Sequence, residues 1–213
     1  MRKMFAHLES VFLNMDYKKE TKKVYNKIAK EFEAKTNDYL INHILDDANM
    51  FISKLPGNRI LDLGSGPGRD ALFFKQNGLN PLCFDISKEM IKLCKSKGLK
   101  TKIGDIERLP FKDSSFDGVW AYTSLLHISK EKFHLVLEKI KRILKQNGIF
   151  YMGMKEGNFE GWIESEKYNK SKRFFSLYGD SELENILLNY FTILYKSKIK
   201  LGESTFLNYL CKK

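Results

Sequence analysis

At 213 residues, 43% apolar and 13% aromatic, the chain has the length and composition of one ordinary globular domain, which excludes global disorder. Its net charge of +11 suits attraction to nucleic acid or acidic partners, but the excess is spread along the chain and carried mostly by lysine, the pattern of a solvated surface. No stretch approaches the ~20 apolar residues of a membrane span. No apolar secretion signal follows Met1-Arg2-Lys3, and Cys83, Cys94 and Cys211 form no C-x-x-C, so a cytoplasmic protein without disulfides or a metal site is expected.

Residues 1–57 read as helices. Val24, Tyr25, Ile28, Ala29 and Phe32 recur at spacings of three and four, and Leu40, Ile41, Ile44, Leu45, Ala48, Phe51 and Ile52 repeat the pattern over residues 39–55 before Pro56-Gly57 closes it. The first well-patterned helix begins just after Met15, which makes Met15 an alternative start to Met1. From residue 58 strands and helices alternate. Strands are expected at 59–63, 80–84, 99–103, 116–122 and 149–154. Helices are expected at 70–77, at 88–97 behind a Ser87 cap, and at 130–146. A short helix at 181–190 precedes two more strands, 191–201 and 205–211, joined at Gly202-Glu203. Such alternation predicts a doubly wound α/β fold, a parallel sheet with helices on both faces. The final hairpin adds an antiparallel strand. The chain divides into an N-terminal helical lid, 1–57, and a ligand-binding domain, 58–213, in one compact unit.

The stretch Ile60-Leu61-Asp62-Leu63-Gly64-Ser65-Gly66-Pro67-Gly68-Arg69-Asp70 joins the first strand to the next helix through three alternate glycines. Glycine accepts positive φ and lets backbone approach a ligand, and a helix start presents free N–H groups. A nucleotide-sized pocket at the carboxyl end of the strand follows. Arg69 stands where the third glycine of G-x-G-x-x-G would be, and Asp62 beside the turn would repel a pyrophosphate. It suits a ligand that brings an ammonium group. Asp85, at the tip of the second strand, suits ribose hydroxyls, a feature common to NAD and other adenosine ligands. Asp105, with Ile106 beside it, suits the amine and face of an adenine. No phosphate-binding G-K-[ST] occurs. Three acids without a phosphate site match S-adenosylmethionine.

The same residues carry a resemblance. The glycine stretch is followed by Phe84-Asp85-Ile86-Ser87 with Met90 on the next helix, by Gly104-Asp105-Ile106-Glu107-Arg108-Leu109-Pro110-Phe111, and by Ser115-Phe116-Asp117-Gly118-Val119-Trp120. Leu125-Leu126-His127 and Ile143-Leu144-Lys145-Gln146-Asn147-Gly148 complete the series. Together they resemble the class I S-adenosylmethionine-dependent methyltransferases of the small type 11 kind, from about residue 25 to residue 147. The resemblance implies a seven-stranded Rossmann-like sheet of order 3-2-1-4-5-7-6 with the last strand antiparallel. It implies that Gly64 and Gly66 border the methionine part, Asp85 the ribose and Asp105-Ile106 the adenine. Tyr25 is expected to close over the cofactor. Asp62, Ser65, Ile86, Met90 and Ala121 complete the expected cofactor set.

Methyl transfer from a sulfonium asks mainly for orientation and desolvation of the nucleophile, so catalytic residues need not stand out. His127, after the fourth strand, is the candidate base, with an ordinary pKa near 6.5; ordering of the loop is its other reading. Tyr122, Trp162 and Arg173, with Lys155-Glu156-Gly157, are expected to shape the acceptor site. His7, His43 and His134 read as surface or packing residues, and Lys18, Lys19, Lys22 and Lys23 as a solvated basic run. Val119-Trp120-Ala121-Tyr122-Thr123-Ser124 lacks the Asn/Asp-Pro-Pro-Tyr signature of many nucleic-acid base N-methyltransferases. The expected activity is therefore methyl transfer to a small-molecule acceptor by a monomer or homodimer. An RNA methyltransferase of tRNA type and a non-catalytic cofactor-binding protein are the alternatives, and an NAD oxidoreductase is disfavoured by Asp62 and Arg69.

Overall fold

The structure, a computed structural model, describes residues 16–213 except 169 and the side chain of residue 167. Met1, His7 and Met15 lie outside the described residues. In chain order the elements are α1 (Tyr17–Thr36), α2 (Tyr39–His43), α3 (Leu45–Lys54), β1 (Arg59–Leu63), α4 (Arg69–Gln76), β2 (Asn80–Asp85), α5 (Lys88–Ser96), β3 (Lys100–Ile103) and β4 (Phe116–Tyr122). They continue with a 3₁₀ turn (Leu125–His127), α6 (Lys130–Ile143), β5 (Leu144–Lys155), β6 (Phe159–Ser165), a second 3₁₀ turn (Glu166–Tyr168), β7 (Ser171–Leu177), α7 (Asp180–Leu188), β8 (Thr192–Leu201) and β9 (Ser204–Lys212).

Seven strands form one sheet in the order β3-β2-β1-β4-β5-β9-β8, the order implied by the family resemblance. The four pairings among β3, β2, β1, β4 and β5 are parallel, and β9 runs antiparallel between β5 and β8. Side chains alternate across this sheet. Ile60, Trp120, Ile149 and Tyr151 face α2 and α3, where Leu40, Ile44, Ala48 and Phe51 are buried with them. Trp120 stacks on Tyr151 at 3.9 Å between centroids and meets Phe51 edge-on at 5.2 Å. Leu61, Val119, Ala121, Phe150 and Met152 face the other way, onto Phe133, Val136, Leu137 and Ile140 of α6. Parallel strands buried on both faces explain the near-continuous apolar runs of β1 and β4.

The structure differs from the sequence expectations at several places. The helix expected over residues 39–55 is broken at Ile44, whose φ of −133° ends α2 and starts α3. Its two halves pack into the core, while α1 lies over the carboxyl ends of the strands. The helix expected to reach residue 146 stops at Ile143, because Leu144 already pairs with Phe116 of β4. The larger difference is a separate two-stranded sheet, β6-β7, between β5 and α7. Its strands carry charged residues on both faces and a glycine, Gly161, so neither period-2 alternation nor a hairpin turn signal marks them.

Candidate active site

One cavity of about 470 Å³ lies at the carboxyl ends of β1, β2 and β4, at the point where strand order reverses, and α1 with β7 roofs it. Tyr25, Asp62, Gly64, Ser65, Gly66, Asp85, Ile86, Met90, Asp105, Ile106, Tyr122, His127 and Arg173 all line it. Ala121 and Trp162 do not. Ala121 sits on the opposite face of β4 from the cavity-lining Tyr122 and packs in the α6 core. Trp162 is spent against Phe174, centroids 5.9 Å apart, within the hairpin.

The glycine turn wraps the floor. Gly64 has φ +74°, and a Cβ there would meet Ser124 Cβ at 2.2 Å, so the position takes no side chain. Gly66 has φ +52°, and its N–H donates to Asp85 at 2.9 Å. Asp85 also accepts from Ser87 N at 2.7 Å; burial pushes its carboxyl up to about 6, with those backbone N–H groups working the other way. Each oxygen keeps a lone pair for a further donor. Ser87 caps α5 through Met90 N, as expected, and donates to Asn26 of α1, which ties the roof to this wall.

Asp62 is the least satisfied group in the floor. Its Oδ2 is buried without a hydrogen-bond partner. Burial, and then Asp70 beside it, pushes its carboxyl well above the usual carboxylate range. Asp70 itself is engaged, accepting from Arg69 Nε and from Trp120 Nε1 at 2.8 Å. Arg69 also donates to Thr36 O at 3.1 Å and lies over the Tyr39 ring. An ammonium group arriving at Asp62 would supply the missing donor.

The roof is latched by a residue expected to be solvated. Lys18 Nζ pairs with Asp105 and with Glu107, each at 2.9 Å. Burial opposes its charge, but the bonds to Glu107 and Asp105 outweigh that and raise its pKa. Tyr17 donates to Glu107, and burial, followed by that bond, pushes its phenol up to about 12. Nothing in the lysine run distinguishes Lys18 from Lys19; the acids that select it are some ninety residues away.

His127 is placed at the rim, but not as a free imidazole. Its Nδ1 lies 2.6 Å from Phe174 O, a group that only accepts, so Nδ1 carries the hydrogen and donates. Burial pushes the ring down to about 3, so it is neutral and Nε2 accepts from the Tyr25 hydroxyl at 2.8 Å. Arg173 Nη1 donates to the same hydroxyl at 2.9 Å. His127 is thus a buried ring with both nitrogens hydrogen-bonded, the arrangement of its loop-ordering reading. Tyr39, Tyr168 and Phe206 also line the cavity, and Tyr39 shares a hydroxyl contact of 2.9 Å with Tyr122. They come from three distant segments, and no local pattern links them.

Comparison with known proteins is consistent with this geometry. Residues 61–152 match a family model described as a methyltransferase domain. An uncharacterized protein of Methanocaldococcus jannaschii is 34% identical over 152 residues, 70% of each chain. The chain belongs to the class I S-adenosylmethionine-dependent methyltransferases. A tRNA (carboxymethyluridine(34)-5-O)-methyltransferase of Arabidopsis thaliana is 36% identical to this methyltransferase over 104 residues, but the match spans 46% of the chain and only 24% of the relative. Among solved structures, the 1,6-didemethyltoxoflavin-N1-methyltransferase of Burkholderia thailandensis, with bound 1,6-didemethyltoxoflavin and S-adenosylhomocysteine, superposes with a TM-score of 0.67 at 17% identity. It covers 89% of this chain and 87% of that one.

The cofactor of the methyltransferase is S-adenosylmethionine, and the acceptor groups lining the cavity fit it. The orphaned Asp62 oxygen answers an ammonium, the left-handed Gly64-Ser65-Gly66 turn leaves room for close approach, and Asp85 keeps free lone pairs for hydroxyls. Among the described residues no group of His, Cys, Asp and Glu could hold a metal, and no helix is long and apolar enough to cross a membrane.

Proposed function

We propose that this methyltransferase acts on a small-molecule acceptor held beside the cofactor in the same cavity. The observation that carries the proposal is the roofed space itself. About 470 Å³ is the size of a drug-sized ligand pocket, most of which the cofactor would fill. The remainder suits a compact acceptor more than a polynucleotide segment. Asp62 would hold the ammonium, Asp85 the ribose, and Asp105 with Ile106 the adenine.

S-adenosylmethionine supplies a methyl group on a positively charged sulfur, already activated for displacement. What remains for the chain is to orient the acceptor and exclude water. Tyr25 hangs from α1 into the cavity, held by Arg173 on one side and His127 on the other. His127 acts on this reading as a positioning residue for Tyr25. Tyr122 and Tyr39, linked through their hydroxyls, and Lys155 line the same cavity.

A second reading, methylation of tRNA, draws on the +11 charge and on the similarity to the plant tRNA enzyme. Incubation with radiolabelled S-adenosylmethionine and either a small-molecule extract or bulk tRNA separates the two. Label in the low-molecular-weight fraction is expected. Label in tRNA would overturn the small-molecule reading.

A further inference from the structure

Arg173 is a buried cation without a counter-ion among the described residues. It lines the cavity and is only 9% exposed. Its Nη1 donates to the neutral Tyr25 hydroxyl, and its Nε is buried without a partner. None of the ion pairs among the described residues includes it. The other two cavity cations most deeply set are both neutralised, Lys18 by Asp105 and Glu107 and Arg69 by Asp70. Burying an unpaired charge is costly. Three rings offset part of that cost, since the guanidinium lies 5.4 Å from the Tyr25 ring, 5.1 Å from Tyr168 and 5.2 Å from Phe175. Rings do not supply the missing acceptor atoms.

Resting on the small-molecule reading above, we propose that the acceptor is a carboxylic acid with a flat, apolar body, its carboxylate paired with Arg173 and its body lying among Tyr25, Tyr168 and Phe175. A planar guanidinium matches a carboxylate by two parallel N–H bonds, and the aromatic wall suits a flat ligand. Lys155, which also lines the cavity, is in none of the ion pairs among the described residues and adds a second positive charge to the lining. Asp62 and Asp85, which also line the cavity, are read above as holding the cofactor's ammonium and ribose, which leaves Arg173 for an acid.

The test uses the full chain and matched pairs of probes: formate, acetate, benzoate and indole-3-acetate against formamide, acetamide, benzamide and indole-3-acetamide. Binding is read by calorimetry and thermal shift, with and without S-adenosylhomocysteine. The acids are expected to bind the wild type about tenfold more tightly than their amides. R173Q is expected to erase that difference, with a smaller loss of affinity for S-adenosylhomocysteine than for the acids. R173K, which keeps the charge and loses the planar fork, is expected to retain part of the preference and serves if R173Q does not fold. Equal binding of acids and amides, or no binding by any acid down to formate, would overturn the proposal. So would an equal loss of S-adenosylhomocysteine affinity in R173Q, since Arg173 would then serve the cofactor's own carboxylate. Failure of the wild type to bind S-adenosylhomocysteine would instead sink the cofactor assignment, and the acid–amide comparison without it would still be read.

Discussion

The Tyr25 hydroxyl donates to Nε2 of His127 across 2.8 Å, which joins α1 to the 3₁₀ turn after β4. The bond requires a neutral imidazole, and burial keeps it so, with the folded pKa about 3 against an ordinary 6.5. Between these values the unfolded chain binds a proton that the folded chain refuses. Stability from His127 is therefore full above pH 6.5 and is lost as pH falls toward 3, by about 1.4 kcal/mol per pH unit. Asp85 has the opposite sign. Its folded pKa of about 6 lies above the ordinary 3.8, so between these values its contribution falls as pH rises. Wild-type melts sum the two. The difference between wild type and H127Q isolates the imidazole, and urea titrations should find it shrinking below pH 6.5. A difference that does not change with pH would contradict a buried neutral ring.

Asp62→Asn should separate binding from stability. The wild-type carboxylate is buried with one oxygen unpartnered, which costs the folded state. Replacing the buried acid by a neutral amide is expected to leave the melting temperature equal or higher. The same change is expected to weaken S-adenosylhomocysteine binding by about tenfold or more, because a charge-assisted bond to its ammonium is lost. Calorimetry and a thermal melt on one sample check both signs.

Gly64→Ala addresses the turn. The new Cβ would lie 2.2 Å from Ser124 Cβ, at a φ of +74° that side chains rarely adopt. A loss of about 2–4 kcal/mol in unfolding free energy is expected. Adding S124G removes the clash but not the strain, so the double variant should recover only part of the loss in denaturant titration.

Lys18→Met tests the roof latch. Without the pairs to Asp105 and Glu107, Tyr17 alone holds the start of α1 to the loop after β3. Lys18 is partly exposed, so the expected effect is modest: S-adenosylhomocysteine dissociating about threefold faster, with faster amide exchange confined to α1. An unchanged dissociation rate would mean that α1 does not gate the cavity.

Much of this protein was legible in its sequence, for reasons that are local. Gly64, Gly66 and the flanking Asp62 mark a strand–turn–helix within a dozen residues. Ser87 marks a helix start, and the buried runs of β1 and β4 mark a two-faced sheet. Backbone sterics, capping and hydrophobic burial act over short spans, so the sheet could be read from the pattern, and with it most of the residues that line the cavity. Tertiary structure decided what depends on distant partners. It turned Ala121 into the core and Trp162 into the hairpin, selected Lys18 from four lysines, gave His127 two bonds and a low pKa, and left Arg173 buried without an acid. Charge state and burial belong to an environment assembled from α1, the turn after β4 and a hairpin that no periodicity announced. The glycine turn and its flanking acids are written in one contiguous stretch and its echoes on neighbouring strands, whereas the surroundings of Arg173 and His127 exist only where those separate segments meet.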